Sequence, residues 1–345
     1  MTGLDRRQLL RGAVALGGTA ALAGPALPAQ AATATPAAGA AAAAAPAGFP
    51  SYEYIGTPFT KTNLIYPPSR REVIFPCIRG VYDKISNPLG RYYLYYAPHE
   101  NPGGICLAYG NTLDGKFTEY PNNPIVSNTW LPHYDTVPHV SSPHVNWDAA
   151  TRRFLLYFHG NNATTRLATS ANGIDFTYHS IVLDTSDVPG SSEASYARVF
   201  EHTVAGKNNK YVMLFMVNIS GVRRICWGWS GDGRTWTHSP TPLINPEPDG
   251  EPNVSGPHLL KRNGTAYVVY HGSSGNMYIA DVGLNFNRET HLGVFHTPLP
   301  TIPDRGRSAA PSFGTDRGVS YMFYEAGDRL NATIAVAREV STGTA

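Results

Sequence analysis

Acidic and histidine residues occur beside short aromatic runs of this chain, and both residue types can transfer protons. Cleavage of a glycosidic bond normally needs two carboxyl groups that flank the bond. Asp135, Glu193, Glu251 and Glu325 could supply them. Histidine titrates near neutral pH, so a histidine could replace one of the two as the acid. We therefore predict that the catalytic groups lie among six residues, Asp135, His144, His159, Glu193, His271 and Glu325.

Arginine residues allow a second chemistry, which is elimination beside a uronate carboxylate. A lyase needs a cation that neutralises this carboxylate, and a guanidinium group suits that task. The cation could be Arg79, Arg198, Arg305 or Arg307, and a histidine, Tyr134 or Tyr196 could move the proton. A third alternative is sugar binding without turnover, because aromatic faces stack on sugar rings and 11% of the residues are aromatic. We predict substrate contacts from Arg79, His139, Tyr196, Arg198, Ser255, His258 and Arg307.

The elements that must position these residues repeat along the chain. A run rich in tyrosine, phenylalanine and β-branched residues begins at residues 91, 153, 210, 266 and 319, so successive runs lie 53 to 62 residues apart. About four short strands with their turns fill such a period, which is typical of a β-propeller blade. The sequence therefore predicts an all-β fold, a five-bladed β-propeller with four antiparallel strands in each blade.

The segment before each aromatic run is predicted to be the innermost strand of its blade. Four of these five segments contain a proline, which fits an edge strand because proline cannot donate to the ladder. Consecutive strands are antiparallel, so the start of the first strand and the end of the second meet at one rim. Most candidate residues lie at these places, and we expect them to converge on one mouth of the central channel. A histidine there could instead hydrogen-bond a neighbouring blade and only hold the hub together.

Three sets of motifs resemble those of glycoside hydrolase family 43. Segment 255–270 is similar to the Glu-Gly-Pro motif of this family, segment 140–145 resembles its Trp-Ala-Pro-Asp-Val blade opening, and the turns at 170–176 and 230–236 resemble turns of the same superfamily. The resemblance spans roughly residues 70–340 and implies a five-bladed propeller with arabinanase- or xylosidase-like activity. It also implies three carboxylates. Ser255 and His144 occupy two of those positions, and segment 75–79 has no aspartate for the third, so the catalytic residues of the family do not carry over.

The first 31 residues have the features of an export signal. Arg6 and Arg7 precede Gln-Leu-Leu and an apolar stretch at 12–27, and Ala29-Gln30-Ala31 provides small residues for cleavage. This pattern resembles a twin-arginine signal peptide. Residues 32–50 are rich in alanine and proline and predict a linker, and residues 51–345 predict the catalytic propeller domain. We expect a secreted protein, exported through the twin-arginine pathway, with no membrane anchor.

The remaining composition argues against other classes of protein. A net charge of +2 without a basic stripe gives no basis for nucleic-acid binding. Three cysteines lack metal-site spacing and predict buried free thiols, with a Cys77–Cys106 bridge as the alternative. No Asp-rich loop indicates a channel calcium ion, and we predict neither a metal nor another cofactor. We expect a monomer that acts on a carbohydrate. A glycoside hydrolase is the first choice, and a uronate lyase or a non-catalytic sugar binder are the alternatives.

Overall fold

The computed structural model describes residues 45–130 and 137–340, which form five sheets of four strands each. Paired strands of every sheet are antiparallel. The first strands of adjacent blades contact one another in a ring and form the hub. This architecture confirms the predicted five-bladed β-propeller.

Four blades consist of consecutive strands, which run in order from the hub outwards. Blade 1 contains β2 (Ile74–Gly80), β3 (Tyr92–Ala97), β4 (Cys106–Gly110) and β5 (Thr118–Glu119). Blade 2 contains β6 (Val140–Asp148), β7 (Arg153–Gly160), β8 (Thr164–Ser170) and β9 (Thr177–Asp184). Blade 3 contains β10 (Ser191–Glu201), β11 (Tyr211–Ile219), β12 (Val222–Ser230) and β13 (Thr237–His238). Blade 4 contains β14 (Val254–Arg262), β15 (Thr265–Gly272), β16 (Met277–Asp281) and β17 (Thr290–His296).

Blade 5 combines both ends of the described residues. Its strands β18 (Ser308–Asp316), β19 (Val319–Ala326) and β20 (Thr333–Val340) are followed outwards by β1 (Ser51–Gly56), which pairs with β20. This pairing closes the ring of blades. Short 3₁₀ turns are the only helical segments of the described residues, at Lys61–Asn63, Pro67–Arg70, Thr185–Asp187 and Glu247–Asp249. No helix within residues 45–130 and 137–340 is long and apolar enough to span a membrane.

The core consists of the interfaces between neighbouring blades. In β7, Phe154 and Leu156 pack with residues of blade 1, whereas Leu155 and Tyr157 pack with residues of blade 3. Successive side chains of a strand point to opposite faces, and both faces of this strand are buried. The aromatic runs are therefore continuously apolar, as expected for strands covered on both sides. Tyr157 also donates from its hydroxyl to the Gly233 carbonyl of blade 3 at 2.7 Å, which ties the two blades together.

Every innermost strand contains a β-bulge at the same place. The register shifts by one residue near the start of each strand, where one residue has a positive φ. These residues are Phe75, Ser142, Tyr196, Gly256 and Ala310. In all blades but the third, a proline follows the bulged residue. Proline has no N–H to donate, and the bulge interrupts the ladder at this point, so no ladder hydrogen bond is lost. Bulges re-aim side chains, and two of these residues, Phe75 and Tyr196, line a pocket at the hub.

The three cysteines are buried and free, which confirms the prediction of unpaired thiols. Cys77 lies on β2 and Cys106 on β4, so strand β3 separates them.

Candidate functional site

A pocket of about 320 Å³ opens at the hub, at the rim where first strands begin and second strands end. Blades 1, 3, 4 and 5 contribute to it. Its ionisable residues include two glutamates, three arginines, two histidines and one tyrosine. The lining residues are Glu72, Ile74, Phe75, His99, Tyr196, Arg223, Asn253, Val254, Ser255, His271, Gly272, Ser273, Arg307, Glu325, Arg329 and Leu330. The pocket therefore has acid, base and cation within one small volume.

Two bulged residues form an aromatic part of the pocket wall. The rings of Phe75 and Tyr196 stack with their centroids 4.6 Å apart and their planes 4° from parallel. The Tyr196 hydroxyl lies 3.4 Å from Nε2 of His99. Burial raises the pKa of Tyr196 to about 12, so the phenol keeps its proton at neutral pH. This residue can donate a hydrogen bond or a proton, but it is a poor base.

Glu325 ends the second strand of blade 5 and forms an ion pair with an arginine. Its Oε1 accepts from Nη2 of Arg307 at 2.6 Å, and its side chain is only 4% exposed. Arg307 also donates to the Gly327 carbonyl at 3.1 Å, which fixes the guanidinium. The second oxygen of Glu325 has no hydrogen-bond partner among the described residues. It is therefore available for a ligand.

Glu72 is a second buried carboxyl group, and it precedes β2 by two residues. Its Oε1 accepts from the Leu330 N–H at 2.8 Å, whereas Oε2 has only a longer contact of 3.4 Å with the His99 N–H. Burial, followed by the charge of Glu325, raises the pKa of Glu72. Glu72 and Glu325 thus line the same pocket in different environments, one near backbone amides and the other against a guanidinium group.

The other two arginines of the pocket differ in their partners. Arg223 forms a bidentate pair with Glu193, with both N–O distances at 3.0 Å. Its backbone N–H donates to Oδ1 of Asn253, another lining residue, at 2.9 Å. Arg329, in the loop between β19 and β20, is exposed and has no hydrogen bond or ion pair with any described residue. Arg329 is therefore the guanidinium group that is free to bind a ligand.

His271 ends the second strand of blade 4, and its ring orientation is fixed by the hub. Nδ1 accepts from the Ala310 N–H at 3.3 Å, so in the neutral ring the proton lies on Nε2. Burial, followed by the charge of Arg307, lowers the pKa of His271 well below its usual value. This histidine is a neutral hydrogen-bond donor at neutral pH.

His99, a lining residue, forms a cluster with two histidines beside the pocket, His139 and His159. The ring centroids of His139 and His159 lie 5.3 Å apart, and those of His99 and His139 lie 5.4 Å apart. His159 also packs edge-on against Tyr196, at 5.0 Å between ring centroids. Both ring nitrogens of His159 and Nε2 of His139 are buried without a hydrogen-bond partner among the residues that the structure describes. Burial lowers the pKa of both residues. Within residues 45–130 and 137–340, no group of three or more His, Cys, Asp or Glu is arranged to hold a metal ion.

Four of the predicted residues lie in the hub but do not line the pocket. His144 contacts the Val199 carbonyl of blade 3 at 2.7 Å through Nε2. His258 occupies the equivalent place in blade 4 and hydrogen-bonds the Pro311 backbone of blade 5. Arg79 donates to the Val145 and Ile78 carbonyls. Arg198 donates to the Pro76 and Ala310 carbonyls, both at 3.3 Å. All four side chains hydrogen-bond backbone groups, and each of them joins different blades.

The structure thus brings five predicted residues into the pocket lining: Tyr196, Ser255, His271, Arg307 and Glu325. Glu193 reaches the site through Arg223, whereas His139 and His159 reach it through their contacts with His99 and Tyr196. Glu251 lies behind the pocket and accepts from the Tyr278 hydroxyl at 2.7 Å. Asp135 and Tyr134 lie outside the described residues.

Sequence reasoning missed Glu72, Arg223 and Arg329. None of them begins a first strand or ends a second strand, the two places where the repeat predicts rim residues. The start of the third strand, where Arg223 lies, and the loop that follows the second strand, where Arg329 lies, reach the same rim. The same strand pattern would have indicated both arginines if these two places had been included.

No model of a known protein family matches the chain, and no curated protein matches it. Solved structures with a similar fold include glycoside hydrolases. An α-L-arabinofuranosidase from Lactobacillus brevis is 16% identical with a TM-score of 0.56, over 81% of this protein and 94% of that one. A glycosyl hydrolase from Bacteroides ovatus is 14% identical with a TM-score of 0.59, over 84% and 93%. A further structure, described only as a glycoside hydrolase, is 14% identical with a TM-score of 0.63, over 86% and 94%. At these identities the similarity establishes the shared propeller fold.

Proposed function

We propose that the protein is a glycoside hydrolase that cleaves a poly- or oligosaccharide in the hub pocket. The observation that carries this proposal is the pair of buried carboxyl groups, Glu72 and Glu325, in one pocket with unequal surroundings. Glycosidic hydrolysis needs an acid that holds its proton and a carboxylate that does not. The glycoside hydrolases of the same fold support this proposal.

The surroundings of the two carboxyl groups suggest their roles. Glu72, whose pKa is raised by burial, is the proposed general acid, and its loosely bonded Oε2 is the oxygen that would carry the proton. Glu325, paired with Arg307, is the proposed base or nucleophile, and its unbonded second oxygen would face the sugar or a water molecule. The Phe75–Tyr196 stack would support the sugar ring, and His271 would donate a hydrogen bond to a hydroxyl group. Carboxyl chemistry of this kind requires no cofactor.

Elimination is the second candidate, because Tyr196, His99 and three arginines share the pocket. A lyase would need one of the first two as the base that removes the proton beside the carboxylate. A pKa of about 12 makes Tyr196 unsuitable for that step at neutral pH, although the residue could still protonate the leaving group. The two buried carboxyl groups would have no role in this mechanism. We therefore place hydrolysis first.

A glycan panel tests these alternatives. The purified protein is incubated with neutral and acidic poly- and oligosaccharides, and both reducing ends and absorbance from a new C=C bond are measured. New reducing ends without new absorbance support hydrolysis, both signals together support elimination, and binding without either signal supports a sugar binder.

Variants then test the two carboxyl groups. Glu325→Gln and Glu72→Gln should each lower kcat/KM by about 10²- to 10⁴-fold, because each removes one proton-transfer or nucleophilic group. Glu53→Gln is the control, since Glu53 is exposed on the outermost strand of blade 5. Full activity of both pocket variants, with a substrate that the parent protein cleaves, would refute the assignment.

We also propose that the protein is exported and acts as a monomer. Arg6, Arg7 and the apolar stretch that follows are the features that support export through the twin-arginine pathway. Replacing both arginines with lysine should retain the precursor inside the cell. Fractionation of a bacterial culture measures this, and unchanged export would exclude that pathway. Size-exclusion chromatography with light scattering tests the monomer.

A further inference from the structure

The pocket has an excess of positive groups that the ion pairs do not cancel. Arg307 is paired with Glu325, and Arg223 is paired with Glu193. Arg329 has no partner among the described residues, although it lines the same pocket. It is exposed, so a ligand can reach its planar group of donors, which matches the geometry of an oxyanion.

A fourth guanidinium group lies buried in the hub without a counter-ion. Arg198 is 1% exposed, and its two hydrogen bonds go to neutral carbonyls of blades 1 and 5. Its Nε has no partner, and no carboxylate of residues 45–130 or 137–340 lies within ion-pair distance. A buried charge without a paired opposite charge lowers the stability of a fold. This cost indicates that the guanidinium group of Arg198 has a function at this place.

The positive groups act on the same part of the pocket. After burial, the charges of Arg307, Arg223, Arg198 and Arg329 all lower the pKa of His271. After burial, which raises the pKa of Tyr196 on another blade, the charges of Arg223 and Arg329 lower this pKa and those of Glu193 and Glu325 raise it. Glu325 and Glu193 balance Arg307 and Arg223, so Arg329 and Arg198 supply the positive potential that the ion pairs do not cancel. Low-dielectric walls strengthen such a potential where a sugar would bind.

We propose that the glycan bound in this pocket is acidic, and that Arg329 binds the carboxylate or sulfate group of one sugar residue while the buried Arg198 adds to the attraction. This inference rests on the proposed function, because it names the class of substrate for the same pocket. A neutral arabinan or xylan fragment would leave Arg329 unpaired and gain nothing from Arg198.

Matched pairs of oligosaccharides test the inference by calorimetric titration. One pair is tri-galacturonate and its carboxyl-reduced counterpart, and the other is a sulfated galactan oligosaccharide and its desulfated counterpart. For at least one pair, the acidic member should bind at least about tenfold more tightly at low ionic strength. The difference should shrink in high salt, because screening weakens attraction between charges. If the galacturonate pair shows this difference, the pocket binds a carboxylate, and if the sulfated pair shows it, the pocket binds a sulfate.

Arg329→Ala should abolish most of this preference, whereas Arg329→Lys should keep part of it, since lysine retains the charge but not the planar fork. Arg288→Ala is the matched control, because it removes an exposed arginine that pairs with Asp281 away from the pocket and changes the net charge equally. Equal affinity for acidic and neutral members of both pairs would overturn the inference. An equal loss of preference in the Arg329 and Arg288 variants would also overturn it, because the effect would then come from overall charge.

The outcomes separate this inference from the proposed function. Hydrolysis of a neutral glycan without any acidic preference would support the hydrolase and refute the acidic substrate. Preferential binding of an acidic glycan without new reducing ends would support the inference and refute hydrolysis.

Discussion

Gly256 is the glycine of the Ser-Gly-Pro motif, and its replacement by alanine tests how the hub positions His271. A Cβ atom at this position would lie 2.8 Å from Nδ1 of His271, 2.9 Å from its Cε1 and 3.0 Å from Cα of Ala310. The φ of Gly256 is +58°, which an L-residue adopts at a cost of about 1 kcal/mol. Overpacking of a buried site adds about 1–3 kcal/mol. We therefore expect Gly256→Ala to lower the free energy of unfolding by about 2–4 kcal/mol.

Gly250 provides the matched control for the backbone part of this cost. Its φ is +70°, and a Cβ atom there would meet nothing within 4 Å. Gly250→Ala should therefore lose only about 1 kcal/mol, the cost of the left-handed backbone. Equilibrium urea unfolding of both variants separates the overlap from the backbone contribution. Equal losses in the two variants would refute the proposed contact between Gly256 and the imidazole ring.

The same substitution should also affect function. The added methyl group must displace the His271 ring or the Ala310 backbone, which breaks the hydrogen bond that fixes the ring. A misplacement of about 1 Å in an active site can lower the rate about 100-fold. We expect a loss of this order in kcat/KM for Gly256→Ala and none for Gly250→Ala. Normal turnover by a folded Gly256→Ala protein would show that His271 is not needed in its present position.

Two further predictions concern buried charges. Arg198→Met should leave the free energy of unfolding nearly unchanged or raise it. Burial lowers the pKa of Arg198 to about 10, so keeping the buried charge costs about 3 kcal/mol, and this cost offsets the gain from the two hydrogen bonds. A loss above about 3 kcal/mol in urea unfolding would contradict this balance. Burial alone would lower the pKa of His291, but hydrogen bonds to Asp249 and Glu289 raise it to about 9, above an unfolded value near 6.5. This group stabilises the fold fully below about pH 6.5 and loses its contribution, about 3 kcal/mol at most, as the pH rises through 9. His291→Gln should remove this pH dependence, and an unchanged dependence in the variant would exclude His291 as its source.

The fold could be predicted from the sequence because burial of each second strand imposes the same apolar pattern on every blade. Both faces of a second strand are covered by neighbouring blades, so runs such as 153–160 are apolar throughout and recur once in each blade. Strand β1 was not predicted as the fourth strand of blade 5, because its pairing with β20 joins residues nearly 290 positions apart and no local pattern encodes it. The rim of the pocket was predicted in part, since antiparallel strands bring Tyr196, His271 and Glu325 together. Glu72 and Arg329 lie in connecting segments, whose paths depend on the packing of the whole hub.

Equivalent positions of the five blades explain how a repeated scaffold acquires a single site. The residue that pairs with the last position before each bulge is not the same in every blade. Blades 2 and 4 have histidine, and in sequence order these residues are Ala97, His159, Met216, His271 and Glu325. Only the last two line the pocket. The residues two positions after the bulges are also equivalent, namely Cys77, His144, Arg198, His258 and Ser312, and none of these lines the pocket. Among these, His144 and His258 make the same kind of bond to the backbone of the next blade, which joins the blades at the hub. We therefore expect the proposed chemistry to depend on positions that differ between the blades, such as Glu325, whereas the histidine of the repeated Ser-x-Pro-His motif belongs to the scaffold of the hub.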